Sequence, residues 1–434
     1  MPIHHRKSGY VSLYCRFNIC FPALFNPFVT MIYRYSFLMM FPLLLSMTVT
    51  IGKTQSGGLT KVPPQQAGID PDQLAIVDSL VYQAIDDGET PGAVLVVLRD
   101  SVVVHRKAYG YLQKEPESRP LSPETIYDLA SLTKPLATAT AAMKLVQDGY
   151  LRLSDPVADF VPEFEHFGGR SERPGHRPRV LNLLTHTAGI PSYAPVEKLK
   201  ERYGDQASDS LMTWLSSLPD RPEPGKQMIY SCPSYITLQK VIEDVTGMSL
   251  ADYTRKKIFG PLGMHDTFYT PDPEYHHKIA PTSYSNEDGV VTGIVHDPLA
   301  NEIMKGVSGN AGLFSTADDL ALFAAMMLNG GAINGTRIFG PATIRVMTST
   351  PDGMESFGRG PGWDLGSSFA SNQGDLFGKQ TYGHTGYTGT SMVMDADTRT
   401  AVILLTNRVY PDDSGSVIDL RAKVSNVVAA SVLD

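Results

Sequence analysis

A chain of 434 residues with 42% hydrophobic and 19% charged side chains has the make-up of a globular protein with a full core, arranged as one large domain or two small ones. Its formal net charge of -8, from 45 acidic against 37 basic residues, argues against nucleic acid or anionic lipid as a partner. Three cysteines, Cys15, Cys20 and Cys232, exclude a disulfide framework and match no metal-binding spacing.

Residues 1–57 read as targeting sequence. Arg34 supplies a positive flank, Ser36 to Ile51 is mostly apolar, and Gly52-Lys53-Thr54-Gln55-Ser56-Gly57-Gly58 is small and polar. This is the layout of a secretory signal peptide, and the apolar run is short for a spanning helix. The segment before it, with His4, His5, Arg6 and Lys7, fits no leader, so translation is expected to start at Met31. A secreted or periplasmic protein follows, with Cys232 as the one cysteine left after cleavage. Membrane association would require an uncleaved N-terminal segment.

From residue 58 to 434 one hydrolase-sized domain is expected, with a helical subdomain over about 150–290. Gly68 to Asp87 carries Leu74, Val77, Val81 and Ala84 on one helical face. Ala93 to Leu98 and Val102 to Val104, joined by Arg99-Asp100-Ser101, read as a hairpin whose first strand is buried. Ser131 to about Asp148 is a helix with Leu132, Leu136, Ala139, Met143 and Val146 as its apolar stripe. Further helices are expected over Leu181–Gly189 with a glycine cap, Tyr235–Val245 stopped by Gly247, and Ser249–Phe259 closed by Gly260-Pro261. Another runs from a Ser315 or Thr316 cap through Leu320, Phe323 and Met327. Ser391 to Met394 and Ala401 to Leu405 return to β, and Val417 to Val432 is a final helix. The fold class is therefore α/β of the α+β kind. One antiparallel sheet joins both ends of the chain, flanked by N- and C-terminal helices, with a mostly helical insertion between.

Three stretches carry chemistry. In Ser131-Leu132-Thr133-Lys134 the amine lies three residues along a helix from the hydroxyl and can reach it. A serine needs a base to become a nucleophile, and a partly desolvated lysine can serve. Tyr230-Ser231-Cys232 falls on a loop ahead of the Tyr235 helix, where a tyrosine can shuttle protons if cations near it favour the phenolate. Gly383-His384-Thr385-Gly386-Tyr387-Thr388-Gly389 has glycines that let backbone and ligand approach closely, with His384 and Thr385 as donors to a carboxylate or carbonyl.

In that order and spacing, S-x-x-K, Y-x-x and H-T-G resemble the serine β-lactamase and penicillin-binding-protein superfamily. The resemblance is greatest to class C β-lactamase-like hydrolases, including D-alanyl-D-alanine carboxypeptidases and esterases. It spans residues 66 to 434 and includes Leu183-Leu184-Thr185-His186-Thr187-Ala188-Gly189 and Ala311-Gly312-Leu313-Phe314-Ser315. It implies a β-lactamase/transpeptidase-like fold, Ser131 as the acylated nucleophile, Lys134 as its base and Tyr230 as the proton relay. It further implies an oxyanion hole from the backbone N–H groups of Ser131 and Tyr387. His384, Thr385 and Gly386 take the K-T-G position, and Cys232 takes the place of the asparagine of Y-x-N, both as substrate-binding residues. Cys232 and His384 depart from the pattern in ways that count against β-lactam hydrolysis more than against acyl transfer.

The expected function is a serine hydrolase working through an acyl-enzyme on amide or ester bonds, with neither cofactor nor metal. Its partner is a small-molecule or peptidoglycan-peptide substrate. The alternatives are a carboxylesterase on small acyl compounds and an acylated sensor that does not turn over. There is no H-E-x-x-H for a metal hydrolase and no G-x-S-x-G elbow for an α/β-hydrolase.

Overall fold

The computed structural model describes residues 58–169, 177–219, 221–287 and 289–433. The signal-peptide reading, the Met31 start, Cys15 and Cys20 lie outside them. In chain order the elements that position the site are α1 (Ile76–Asp86), β1 (Gly92–Arg99), β2 (Val102–Gln113), β3 (Arg119–Pro120) and β4 (Tyr127–Asp128). They continue with α2 (Thr140–Gln147), α3 (Val180–Leu184), α4 (Val196–Tyr203), α5 (Ala207–Ser217), α6 (Cys232–Thr246), α7 (Leu250–Thr254) and β5 (Phe268–Tyr269). The last are β6 (Leu313–Ser315), α8 (Ala317–Leu328), β7 (Thr381–Thr385), β8 (Ser391–Asp395), β9 (Thr400–Thr406) and α9 (Ile418–Ser431).

β1 explains the architecture. Its side chains alternate between two faces, yet both are apolar. Val94, Val96 and Leu98 join the main core with α8, while Ala93, Leu95 and Val97 join a second core made by α1 and α9. A strand covered by helices on both faces must read as a continuous apolar run, which it does. Each buried Val or Leu contributes roughly 1.5–3 kcal/mol, so a one-residue slip of β1 would exchange two packed faces at once. β1 pairs antiparallel with β2 and with β9, placing Val96 opposite Ile403 and so closing one six-stranded sheet in the order β7-β8-β9-β1-β2-β3. The β1–β2 turn has Asp100 and Ser101 at φ 50° and 64°, the left-handed pair that a tight two-residue hairpin demands. A small sheet, β4-β6-β5, lies apart from the large one.

Several expected boundaries move. α3 ends at Leu184 rather than Gly189, because His186 turns left-handed (φ 59°) and the chain folds back, Thr187 N–H donating to Asn182 O at 2.8 Å. α6 begins at Cys232, earlier than expected: Ser231 Oγ accepts from Ser234 N–H at 3.1 Å, and Pro233 is tolerated in a first turn. Tyr230 therefore ends the loop, while Cys232 opens the helix. The helix after Ser249 is not closed by Gly260-Pro261. It passes through a π-turn to Leu262 and stops at Gly263, φ 77°.

Candidate active site

The segment around Ser131 is built under strain. Ala130 has φ 46°, rare for a residue with a side chain, and Asp128 Oδ1 holds its N–H at 2.8 Å. The chain then winds as a 3-10 turn over Ala130–Leu132, a π-turn over Lys134–Ala139, and α2. Leu132, Leu136, Ala139 and Met143 are buried as their stripe requires. Lys134, off that stripe, is buried as well, with no exposed surface. Its Nζ donates to Ser131 Oγ and to Asn310 O, both at 3.0 Å.

Tyr230 comes from the other side. Its ring centroid lies 5.0 Å from Lys134 Nζ, 5.5 Å from the Arg359 guanidinium carbon and 4.4 Å from the His186 ring. Burial disfavours the Lys134 ammonium, but the anionic forms of Cys232 and Tyr230 favour it, and the balance holds its pKa above the ordinary lysine value. Desolvation therefore does not leave a free amine, as the sequence suggested. Ser131 and Tyr230 meet at the same amine, so the group placed to take the Ser131 proton is the Lys134–Tyr230 pair.

The third stretch is β7 and the turn after it. Thr388 Oγ1 donates to Asp128 O at 2.7 Å and Thr390 Oγ1 to Leu129 O at 3.0 Å, stitching the turn to the residues just ahead of Ser131. The Tyr387 backbone is fixed by Arg408, whose Nε donates to Tyr387 O at 2.8 Å. Ser131, Tyr230 and Tyr387 together line two cavities of about 410 and 560 Å³. The smaller also takes in His384, Thr385, Gly386, Arg408 and Arg421; the larger takes in Tyr193, Cys232, His296 and Asp297. Every residue singled out from the sequence except Lys134, which lies buried directly behind Ser131, thus lines one cleft wall or the other.

Two expectations are corrected. His384 is buried, and its Nδ1 lies 2.9 Å from Thr385 O. A carbonyl only accepts, so Nδ1 carries the proton. Burial, with Arg359 and Lys134 nearby, holds the ring pKa well below the ordinary histidine value. The free Nε2 is thus an acceptor for an O–H or N–H, not a donor to a carboxylate. The glycines, too, make room for the protein's own chain rather than a ligand. A Cβ on Gly386 would sit 2.1 Å from Thr390 Oγ1 and 2.3 Å from Leu129 O.

Cys232 is nearly buried in the wall of the larger cavity; burial raises its pKa while Lys134 opposes the rise. The sequence reading missed Arg359, Arg421 and Asn310. An arginine in the glycine-rich run Gly358-Arg359-Gly360-Pro361-Gly362 reads as a solvated loop charge, yet Arg359 has a fully buried side chain. Arg421 is 8% exposed, donates from Nη2 to Gly386 O at 2.8 Å and Thr390 O at 3.0 Å, and its Nε has no partner among the described residues. Its place on α9 gave no signal of a cleft 290 residues upstream. Asn310 acts through a backbone carbonyl, which no side-chain pattern reveals.

The chain is similar to known proteins over most of its length. A family model described as Beta-lactamase matches residues 77–425. A Salmonella agona protein named "Putative D-alanyl-D-alanine carboxypeptidase" is 32% identical over 398 residues, covering 86% of this chain and 91% of its own. Among solved structures, an octameric penicillin-binding protein homologue from Pyrococcus abyssi superposes with TM-score 0.62 at 26% identity, covering 83% of this chain and 79% of its own. EstCE1, a hydrolase with promiscuous acyltransferase activity, shares the fold with TM-score 0.65 at 24% identity, covering 82% of this chain and 99% of its own.

Proposed function

The chain belongs to the β-lactamase family of serine hydrolases, and from that premise we propose that it cleaves acyl-D-amino-acid bonds as a D-alanyl-D-alanine carboxypeptidase, with Ser131 as nucleophile. The observation that carries the reading is Lys134 Nζ set 3.0 Å from Ser131 Oγ with Tyr230 against the same amine. Ser131 Oγ attacks the acyl carbon as its proton passes to the Lys134–Tyr230 pair. The Ser131 and Tyr387 amides hold the oxyanion. The bond to the leaving group breaks as Tyr230 protonates it, and a water then releases the acyl group from Ser131 by the same route reversed. Arg421 and Arg408 beside the smaller cavity suit a substrate carboxylate, which supports a peptide ending in a free acid. A second reading, a carboxylesterase, is favoured by Cys232, where a weak thiol donor replaces a side-chain amide.

We further propose that the protein is exported to the cell envelope through its leader, on the strength of the Ser36 to Ile51 run. Among the described residues no helix is long and apolar enough to cross a membrane. Envelope protein should begin between about Thr50 and Gly58; an intact mass that retains residues 1–30 overturns this. For the activity, a fluorescent penicillin or fluorophosphonate should label the protein, and Ser131→Ala should abolish the label without unfolding. Label that persists on another serine overturns the assignment. Rates with a D-alanyl-D-alanine peptide, a p-nitrophenyl ester and a chromogenic cephalosporin, measured side by side, separate the two readings.

A further inference from the structure

Arg359 is used by none of the steps above, yet it is a fully buried cation beside them. Its side chain has no exposed surface, and its ion pair is a single contact, Nη1 to Asp364 Oδ2 at 3.2 Å. That carboxylate is shared: Asp364 also accepts from Gly366 N–H at 3.3 Å and from Ser367 N–H and Oγ at 3.0 Å. Nε and Nη2 of Arg359 have no partner among the described residues. A buried ion pair is poor evidence of stabilisation, since apolar replacement is often neutral or better. An under-satisfied one calls for another explanation. The guanidinium carbon lies 5.5 Å from the centre of the Tyr230 ring. At the position where S-x-x-K enzymes carry the lysine of K-T-G, this chain has His384, which is uncharged. Lys134 is thus one cation at the phenol, and Arg359 is the other.

We infer that Arg359 is a positioning residue for Tyr230, a buried cation that fixes the ring and stabilises the phenolate formed while the tyrosine is without its proton. The inference rests on the reading of Tyr230 as proton relay. In that step the acyl bond to the leaving group breaks and the phenol O–H proton moves to the departing atom. The phenolate regains a proton when the water attacking acyl-Ser131 gives one up. Charge on the phenolate oxygen therefore appears and vanishes in acylation and again in deacylation, beside a cation that water does not screen. The ionisable groups facing the ring are Lys134, Arg359, His186, His384 and Tyr235, with Asp364 behind Arg359. Burial and Arg359 hold both histidines well below their ordinary range, so neither supplies a competing charge.

The test replaces the pair together, Arg359→Met with Asp364→Asn, so that no carboxylate is left buried alone. Turnover of a p-nitrophenyl ester is followed from pH 5 to 10, and folding by thermal denaturation. A folded double variant should lose about three- to thirtyfold in kcat/KM, the range of a desolvated cation over an aromatic ring. The acid limb of its kcat/KM profile should move to higher pH. Arg359→Lys should restore the limb. Should the double variant not fold, Arg359→Gln against Arg359→Lys asks the same question, with Gln moving the limb and Lys holding it. A wild-type rate and profile in the variants that remove the charge would overturn the inference, as would a loss of rate with the limb unmoved. Tyr230→Phe keeps the two readings apart. An inactive Tyr230→Phe beside a wild-type Arg359 variant sinks only the role of Arg359, whereas a fully active Tyr230→Phe sinks the relay itself.

Discussion

Replacing Asp128 by asparagine should separate stability from activity in this site. Asp128 is buried, and its two oxygens accept from Ala130 N–H at 2.8 Å and His296 N–H at 2.7 Å. Burial raises its pKa to about 6, with those two hydrogen bonds opposing the rise. A rise from an ordinary 3.8 to about 6 means that the folded state holds the carboxylate at a cost of roughly 3 kcal/mol above pH 6. The sign follows from linkage. Between pH 3.8 and 6 the folded protein binds a proton that the unfolded chain does not, so this residue favours folding most at the acid end and least above pH 6. Asparagine removes the charge cost but can accept only one of the two N–H groups, leaving the other buried against an NH₂ at about 1–3 kcal/mol. The two terms nearly cancel, so thermal or denaturant unfolding at pH 7.5 should change little. Activity has no such compensation. Ala130 is held at φ 46° directly before Ser131, a conformation costing about 1–2 kcal/mol, and the carboxylate is what holds it. Loss of a charge-assisted bond there, about 1.5–3 kcal/mol, should lower kcat/KM roughly ten- to hundredfold. In the wild-type protein protonation of Asp128 should add a separate step in kcat/KM near pH 6, distinct from the limb that Tyr230 sets, and Asp128→Asn should lack that step. Esterase rates from pH 4.5 to 8, read beside unfolding curves, decide the matter. A folded Asp128→Asn protein with wild-type turnover would refute the reasoning.

Cys232→Asn should raise turnover of an amide or β-lactam relative to a simple ester by about two- to tenfold, the worth of one neutral hydrogen bond, with Cys232→Ser between; an unchanged ratio in a folded variant would exclude the contact. Gly386→Ala should cost about 1–3 kcal/mol of stability and most of the activity, because its Cβ would meet Leu129 O at 2.3 Å beside Ser131. An unaltered denaturation midpoint would show that the turn has room to give.

Much of the fold is legible along the chain because its signals are local. The apolar run of β1 and the stripe of the Ser131 helix are periodic. The cap of α8 is Thr316, whose Oγ1 accepts from Asp319 N–H at 3.2 Å. The ordered trio of Ser131, Tyr230 and His384 was likewise readable, since Ser131 with Lys134 needs only helical spacing and the others only their order. What the sequence by itself could not determine was the electrical state of those groups, because that depends on neighbours far away in the chain. Lys134 looked like a desolvated amine until Cys232 and Tyr230 were placed against it. His384 looked like a donor until its Nδ1 was found committed to a carbonyl. Arg359, separated by 129 positions from Tyr230, carried no mark at all. Periodicity and capping act within a few residues, and so they are written in the chain. Burial and Coulomb interaction act through space, and only the closing of the sheet and its helices decides which charges share a dry cleft.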